Sequence, residues 1–342
     1  MKLLGMTIAE LQDVAAKFSL PRFAARQMAQ WMYRKHVTSV LQMTNLSLAA
    51  RTQLKAAGYE VGYVEPLQTL RSIDGTEKFL FPTESGQQVE TVLIPDNERR
   101  TLCISTQVGC KMNCLFCHTG KQGFHGNLTV TDILAQVLWA QRNVGLTNIV
   151  VMGQGEPLDN LDNLLRALDI LTSDDGFGWS PKRITVSTVG LRKTLHRYLD
   201  ESQCHLAVSL HSPLHEQRLQ LMPAERQYPI AELVDSLRQR DDFQHQRRLS
   251  FEYIVWHGLN DTPVHAQALI QLLRPLNCRV NLIRWHAIPG ATLPPSDEPS
   301  MLQFRDHLTR HGIYTTIRAS RGEDIMAACG LLASPKKTSS PL

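Results

Sequence analysis

No apolar stretch in this chain of 342 residues approaches the ~18 residues that a membrane-spanning helix needs. An export signal is missing as well: Glu10 interrupts the first apolar residues and no small-residue cleavage site follows. There is no internal repeat, and no low-complexity segment apart from the tail Lys336 to Leu342. Nor is there a large excess of charge, since 36 Lys and Arg stand against 32 Asp and Glu. A net charge of +4 is too small to announce a polyanionic partner by itself. These absences lead to the expectation of a soluble, cytoplasmic protein with no membrane contact.

What is present excludes global disorder, because 43% of the residues are hydrophobic and only 20% charged. The length suits two domains, or one large domain with an appendage. The basic excess is concentrated at the start. Residues 1–60 hold 8 Lys and Arg against 3 Asp and Glu, while the rest of the chain is nearly balanced. Such a face can touch phosphates, and it reads equally well as a solvated helical surface.

Helical spacing of Leu11, Val14, Ala15 and Phe18, then of Phe23, Met28, Trp31 and Met32, then from Leu48 to Leu54, predicts a helical domain over 1–60. Residues 61–98 read as a small β subdomain or linker, with short strands at Val61 to Val64, Lys78 to Phe81 and Val89 to Ile94 and a turn at Asp74-Gly75. Over 99–330 the rhythm becomes α/β. Strand-like runs at 101–106, 147–152, 183–188, 204–210, 250–256, 278–284 and 313–318 alternate with helical segments at 129–143, 161–173, 191–199, 229–239, 263–274 and 300–310. This alternation predicts a parallel sheet with right-handed crossovers, as a partial (β/α)6-type barrel or an open doubly wound sheet. In either, chemistry belongs at the C-terminal ends of the strands. Residues 331–342 form a tail.

Seven cysteines, an odd number in a chain without an export signal, argue against a disulfide framework. Three of them, Cys110, Cys114 and Cys117, fall within eight residues after the first strand of the α/β region. Three thiolates in a tight loop can hold three irons of a 4Fe-4S cluster and leave the fourth open to a substrate. Zinc on the same cysteines plus His118 competes with that reading. Covalent haem attachment at Cys114-Leu-Phe-Cys117-His118 fits poorly without export.

The next strand end carries Gly153-Gln-Gly155-Glu156-Pro157, where glycine lets a ligand approach the backbone and Glu156 can face an ammonium. Later strand ends supply Ser187-Thr188, then Ser209-Leu210-His211, then Asn281 and His286. Cys329, before Gly330 in a polar segment, is the better candidate for a reactive thiol. Cys103, Cys204 and Cys278 read as core thiols from their strand positions.

The Cys110-x3-Cys114-x2-Cys117 loop, the Gly155-Glu156-Pro157 turn and the strand-end series resemble a radical S-adenosylmethionine (SAM) enzyme. More narrowly, Gln107-Val-Gly-Cys110, Asn127-Leu-Thr-Val130, Ser209-Leu-His-Ser-Pro213, Leu221-Met-Pro223 and Ala328-Cys329-Gly330 resemble the RlmN/Cfr family of RNA methyltransferases. The similarity extends to the N-terminal helices around Arg22 to Trp31, which look like that family's RNA-binding accessory domain.

The resemblance implies methylation of an adenine ring carbon, carbon 2 or carbon 8, in ribosomal or transfer RNA. It implies that Cys110, Cys114 and Cys117 hold a 4Fe-4S cluster and that Gly155, Glu156, Ser187, Ser209, Leu210, His211 and His286 contact SAM. It further implies that Cys329 carries a methyl group as S-methylcysteine and that Glu90 accepts a proton. Cys103 then releases the product through a transient disulfide with Cys329. An external electron donor such as a flavodoxin-type reductant is implied too. Two positions depart from the family pattern: His286 stands where asparagine is usual, and Gln154 replaces methionine between Gly153 and Gly155. A zinc-stabilised, non-catalytic RNA-binding protein and a radical SAM enzyme with another substrate are the alternatives.

Overall fold

The computed structural model describes residues 1–243, 247–288 and 290–333. The tail segment from 334 to 342, Lys336 to Leu342 included, lies outside the described residues.

The chain begins with α1 (Ile8–Lys17), α2 (Ala24–Ala29) and α3 (Leu48–Ala56). A capping box starts α1: the Glu10 N–H donates to Thr7 Oγ1 and the Thr7 N–H to Glu10 Oε2. Its buried face is Leu11, Val14 and Ala15, as their spacing predicts. Phe23 departs from the expected core and is 63% exposed. It caps the N-terminus of α2, where helical periodicity has not yet begun.

These helices share the core of the larger α/β region. Arg166 Nε donates to Gly5 O at 2.8 Å and its guanidinium pairs with Glu10. Thr131 Oγ1 donates to Leu4 O at 2.9 Å.

The strands are β1 (Gln68–Arg71), β2 (Glu77–Pro82), β3 (Gln88–Asp96), β4 (Arg99–Cys103), β5 (Gln107–Gly109), β6 (Phe124–Asn127), β7 (Asn148–Val151), β8 (Ile184–Thr188), β9 (His205–Ser209), β10 (Leu249–Val255), β11 (Cys278–Arg284) and β12 (Tyr314–Ile317). Ten of them form one sheet in the order β1-β2-β3-β4-β7-β8-β9-β10-β11-β12, with β5 and β6 as a separate ribbon. Within the ten-stranded sheet, every pairing beyond β4 is parallel, whereas the β5–β6 ribbon is antiparallel. The remaining helices are α4 (His118–Lys121), α5 (Val130–Asn143), α6 (Leu161–Thr172), α7 (Arg192–Glu201), α8 (His215–Leu221), α9 (Ile230–Arg238), α10 (Pro263–Leu273) and α11 (Glu298–Arg310).

The expected partial barrel is therefore present: seven parallel strands, each joined to the next through helix. Central strands are buried on both faces, as β10 shows along its whole length. Helices cover them with amphipathic stripes such as Leu161, Leu164, Leu165, Leu168 and Leu171 of α6.

Residues 61–98 differ from the expectation in two ways. Val61 to Val64 is not a strand, because Gly62 sits at φ +98° and only isolated contacts reach the N-terminal segment, such as Leu4 N–H to Val61 O. The three strands that do form, β1 to β3, have no sheet of their own. They extend the barrel sheet antiparallel beyond β4. Asp74-Gly75 makes the expected turn between β1 and β2, with Gly75 at φ +83°.

Candidate active site

A cavity of ≈ 280 Å³ opens at the C-terminal ends of the parallel strands. Cys110, Cys114 and Cys117 line it together with Cys103 and Cys329. All seven cysteines are free thiols, with Cys204 buried and Cys278 half-buried at their strand starts.

The cysteine loop leaves β5 at Gly109, where a Cβ would stand 1.7 Å from the carbonyl oxygen of Gly123. Only glycine permits that crossing, and the Cys110 N–H seals it by donating to the same oxygen. Lys111 Nζ pins the loop to Asp159 Oδ2 at 2.8 Å, and the Leu115 N–H donates to Leu221 O at 2.8 Å.

Burial pushes the Cys110 thiol up to about 12 and holds Cys114 well above the normal thiol range; neighbouring sulfurs and Glu156 add to both. Such thiols become ligands only when a cationic group compensates the charge. Among the described residues no three His, Cys, Asp or Glu side chains converge on a single metal-ion position. The backbone N–H of His118 donates to Gly330 O, and among the described residues its buried Nδ1 has no hydrogen-bond partner. Three thiols on one cavity wall without a common single-ion point fit a multi-iron cluster with an open corner.

The glycine-rich turn after β7 is wedged between strand ends. A Cβ at Gly153 would approach Ser105 Oγ to 2.5 Å, and one at Gly155 (φ +99°) would approach Gln107 Cβ to 2.5 Å. Glu156 is nearly fully buried and accepts from Thr188 Oγ1 (2.6 Å), the Val189 N–H (2.9 Å) and the Leu158 N–H (3.1 Å). It thus staples the turn to the end of β8 as well as facing the cavity. Burial raises its carboxyl to about 7, against the opposing pull of those hydrogen bonds.

Ser187, Ser209 and His211 line the same cavity. His211 sits at φ +57°, its Nδ1 accepts the Ile254 N–H at 3.0 Å, and its ring proton is therefore on Nε2. Burial, with Arg218 nearby, lowers its pKa to about 3, so the ring is neutral. Leu210 does not line the cavity; it is fully buried beneath the rim, and its carbonyl accepts from Arg218. His286 lines the cavity but is engaged by the loop that carries Cys329. Its Nε2 lies 3.1 Å from Ser320 Oγ and its Nδ1 3.4 Å from Glu323.

Three groups escape sequence reasoning. Arg218, fully buried, pairs with Glu225 and donates to the carbonyls of Val189, Ser209 and Leu210, tying the ends of β8 and β9 together. Glu252 of β10 is a buried carboxylate on the cavity wall, held by Asn281 Nδ2 at 2.7 Å and Ser250 Oγ at 3.1 Å. Gln154, known from the sequence only as a departure, accepts the Glu90 N–H through its side-chain oxygen.

Glu90 and Cys103 meet through strand register. Lys78 stands opposite Val92 and Val92 opposite Cys103, while Leu80 stands opposite Glu90. Directly paired residues share a sheet face, as do alternate residues along a strand. Lys78, Glu90, Val92 and Cys103 therefore project from one face, and residues 322–333 lie over it. Asp74 and the Ser72-Ile73 pair hold Gly322 and Asp324 at one end. Ala327 and Leu332 pack with Val92 and Cys103 in the middle. At the other end Thr119 Oγ1 donates to Leu332 O at 2.7 Å and the Ala333 N–H donates to Glu90 Oε2 at 2.6 Å.

Cys329, within this segment, is open to the cavity although protein atoms crowd it on its other sides. That crowding raises its thiol pKa, and Arg318 opposes the rise. Burial raises Cys103 to about 12, reinforced by the Cys329 sulfur.

The profile described as the Radical SAM superfamily matches residues 104–267. That of the ribosomal RNA large subunit methyltransferase N-terminal domain matches residues 1–59. The chain is 58% identical over 335 residues to a probable dual-specificity RNA methyltransferase RlmN of Bacteroides thetaiotaomicron, covering 98% of this chain and 96% of that protein. It is 41% identical to a dual-specificity RNA methyltransferase RlmN of Marinobacter nauticus, covering 96% and 92% respectively. Among solved structures, a radical SAM methyltransferase from Sphaerobacter thermophilus superposes with a TM-score of 0.90 at 40% identity, covering 97% of this chain and 98% of that one.

Proposed function

Because this chain belongs to the RlmN family of radical SAM RNA methyltransferases, we propose that it methylates carbon 2 of an adenine in ribosomal and transfer RNA through an S-methylated Cys329. Membership makes it a SAM-dependent enzyme with a 4Fe-4S cluster. Carbon 8 is the alternative position. One observation carries the reading: Cys329, Cys103 and the three cysteines of the loop face a single cavity, with Glu90 on the adjoining sheet face.

Cys110, Cys114 and Cys117 hold the cluster, and Gly155, Glu156, Ser187, Ser209 and His211 surround SAM; His286 adds to that wall through the loop it fastens. When bound, cluster and SAM supply a methyl group to a thiolate and, on one-electron reduction, a carbon radical able to take a hydrogen atom. An external one-electron donor of the flavodoxin type is required for the latter.

The chain's own residues do the rest. Cys329, eased toward thiolate by Arg318, takes up the methyl group and presents it to the adenine ring. Glu90 accepts the proton that the ring carbon must lose. Cys103, as thiolate, attacks the sulfur of Cys329 and forms a Cys103–Cys329 disulfide; the transferred carbon leaves with the bonding pair, delocalised into the adenine ring, and takes up a proton to become the methyl group. The reacting groups line a cavity of ≈ 280 Å³ at the barrel mouth, so the adenine swings out of its stack to reach them. The basic first helices grip the RNA backbone.

Nucleoside mass spectrometry tests this. Anaerobically reconstituted protein is incubated with SAM, reductant and protein-free ribosomal or transfer RNA. The expected product is 2-methyladenosine. An 8-methyladenosine peak moves the reaction to carbon 8, and a colourless zinc protein yielding neither overturns the assignment.

A further inference from the structure

Lys78 of β2 is a buried ammonium that neither the cluster nor SAM explains. Its Nζ lies 3.0 Å from Glu90 Oε1, with side-chain exposures of only 10% and 7%. The same Nζ donates to the carbonyl of Met326 at 3.2 Å. One cation thus touches both the carboxylate on the sheet and the segment that carries Cys329.

We propose that Lys78 is a positioning residue for the RNA step: it anchors one oxygen of Glu90 and seats the Cys329 segment above it through Met326. The inference rests on the roles proposed above for Glu90 and Cys329.

Three features support it. Register places Lys78 diagonal to Glu90 on the face that Cys103 shares, so the pair belongs to the reacting surface. The backbone of Glu90 is independently fixed: its N–H donates to Gln154 and its carbonyl accepts from Ser105 Oγ at 2.6 Å. The side chain therefore needs only one further anchor to be immobile, and Lys78 provides it at Oε1. Finally, the two oxygens are differentiated. Oε2 is covered by the Ala333 N–H, in the stretch just after Cys329. The carboxylate thus ties the sheet face, through Lys78, to the segment that carries Cys329. Without Lys78, Oε1 would lose its anchor and the buried carboxylate its cation partner.

The test separates the two halves of the reaction in full-length, cluster-loaded protein. Lys78→Gln keeps a hydrogen-bond donor and removes the charge; Lys78→Arg keeps the charge. Peptide mass spectrometry reads the methyl on Cys329, nucleoside mass spectrometry reads methylated adenosine, and denaturing gels read covalent protein–RNA adduct. Lys78→Gln is expected to keep the Cys329 methyl while losing product about tenfold or more and accumulating adduct, the deficit of an impaired proton acceptor. Lys78→Arg is expected to recover several-fold of that loss. Wild-type product yield from Lys78→Gln overturns the proposal, as does an equal loss of Cys329 methylation and product without adduct. If Lys78→Gln does not fold, Lys78→Met combined with Glu90→Gln leaves no unpaired buried charge. Glu90→Gln alone is the reference: a double variant that matches it in adduct and product supports the proposal, because Lys78 then acts only through Glu90, and a further loss of Cys329 methylation overturns it. A wild-type protein that never methylates Cys329 overturns the parent reading instead, and this inference with it.

Discussion

The side-chain oxygen of Gln154 accepts the backbone N–H of Glu90 at 3.1 Å, joining the glycine-rich turn after β7 to a strand of the antiparallel extension. The turn that lines the cavity and the strand that carries Glu90 are therefore tied together. Its backbone reinforces the link, since Gln154 O accepts from the N–H groups of Thr106 and Gln107.

Replacing Gln154 by methionine removes that acceptor and leaves a buried N–H without its partner. The expected loss is about 1–3 kcal/mol of stability. Urea unfolding of the variant beside wild type measures it, and an unchanged midpoint would show that another group takes over the N–H.

Removing Cys329 and removing Cys103 should have different consequences. Cys329→Ala leaves no carrier, so neither protein nor RNA becomes methylated, while SAM cleavage persists. Cys103→Ala removes the attacking sulfur and leaves RNA bound covalently through Cys329. Denaturing gels with labelled RNA distinguish them: a nuclease-sensitive adduct is expected for Cys103→Ala and none for Cys329→Ala.

SAM affinity should depend on pH through Glu156. Burial raises its carboxyl to about 7, so the charged form that pairs with an ammonium is present above that value and lost as pH falls through it. In cluster-loaded protein, binding titrations from pH 8 down to pH 6 should show affinity falling by up to about tenfold per unit at the acid end. A flat profile would mean that the ligand itself keeps Glu156 ionised throughout.

Arg218→Met should be severely destabilising. It takes the guanidinium from the buried Glu225 carboxylate, which keeps His215 Nδ1 and the Ile230 N–H, and it frees three strand-end carbonyls. Loss of one partner from a buried pair costs about 3–5 kcal/mol. Thermal melting should show this, and the double change Arg218→Met with Glu225→Gln should recover part of it.

The parallel half of the fold was legible because strands and helices of ordinary length alternate, each with its own period. Helices predicted at 129–143 and 263–274 form at Val130–Asn143 and Pro263–Leu273. The antiparallel half was not legible as part of the barrel. β3 and β4 form a tight hairpin across Asn97-Glu98, with Asn97 at φ +52°, and nothing in that dipeptide, which lacks the glycine common in such turns, announces it. Cys103 read as a core thiol for the same reason: its strand position was plain, but nothing in the sequence says that the Cys329 segment folds back over that face. Arg218 was invisible because a cation in a short helix ordinarily points to water, and only the exposed carbonyls of β8 and β9 explain its burial. His286 was legible as a cavity residue. Its attachment to Ser320 and Glu323 was not.

The first helices and the barrel share one core, fastened by Arg166 at Gly5 and Glu10 and by Thr131 at Leu4. A grip on RNA built from those helices would then stand at a fixed offset from the cavity, like the jaws of a caliper. An RNA would be selected by the span between its backbone and the adenine it can swing out, so two molecules unrelated in sequence pass equally well if they present the same span.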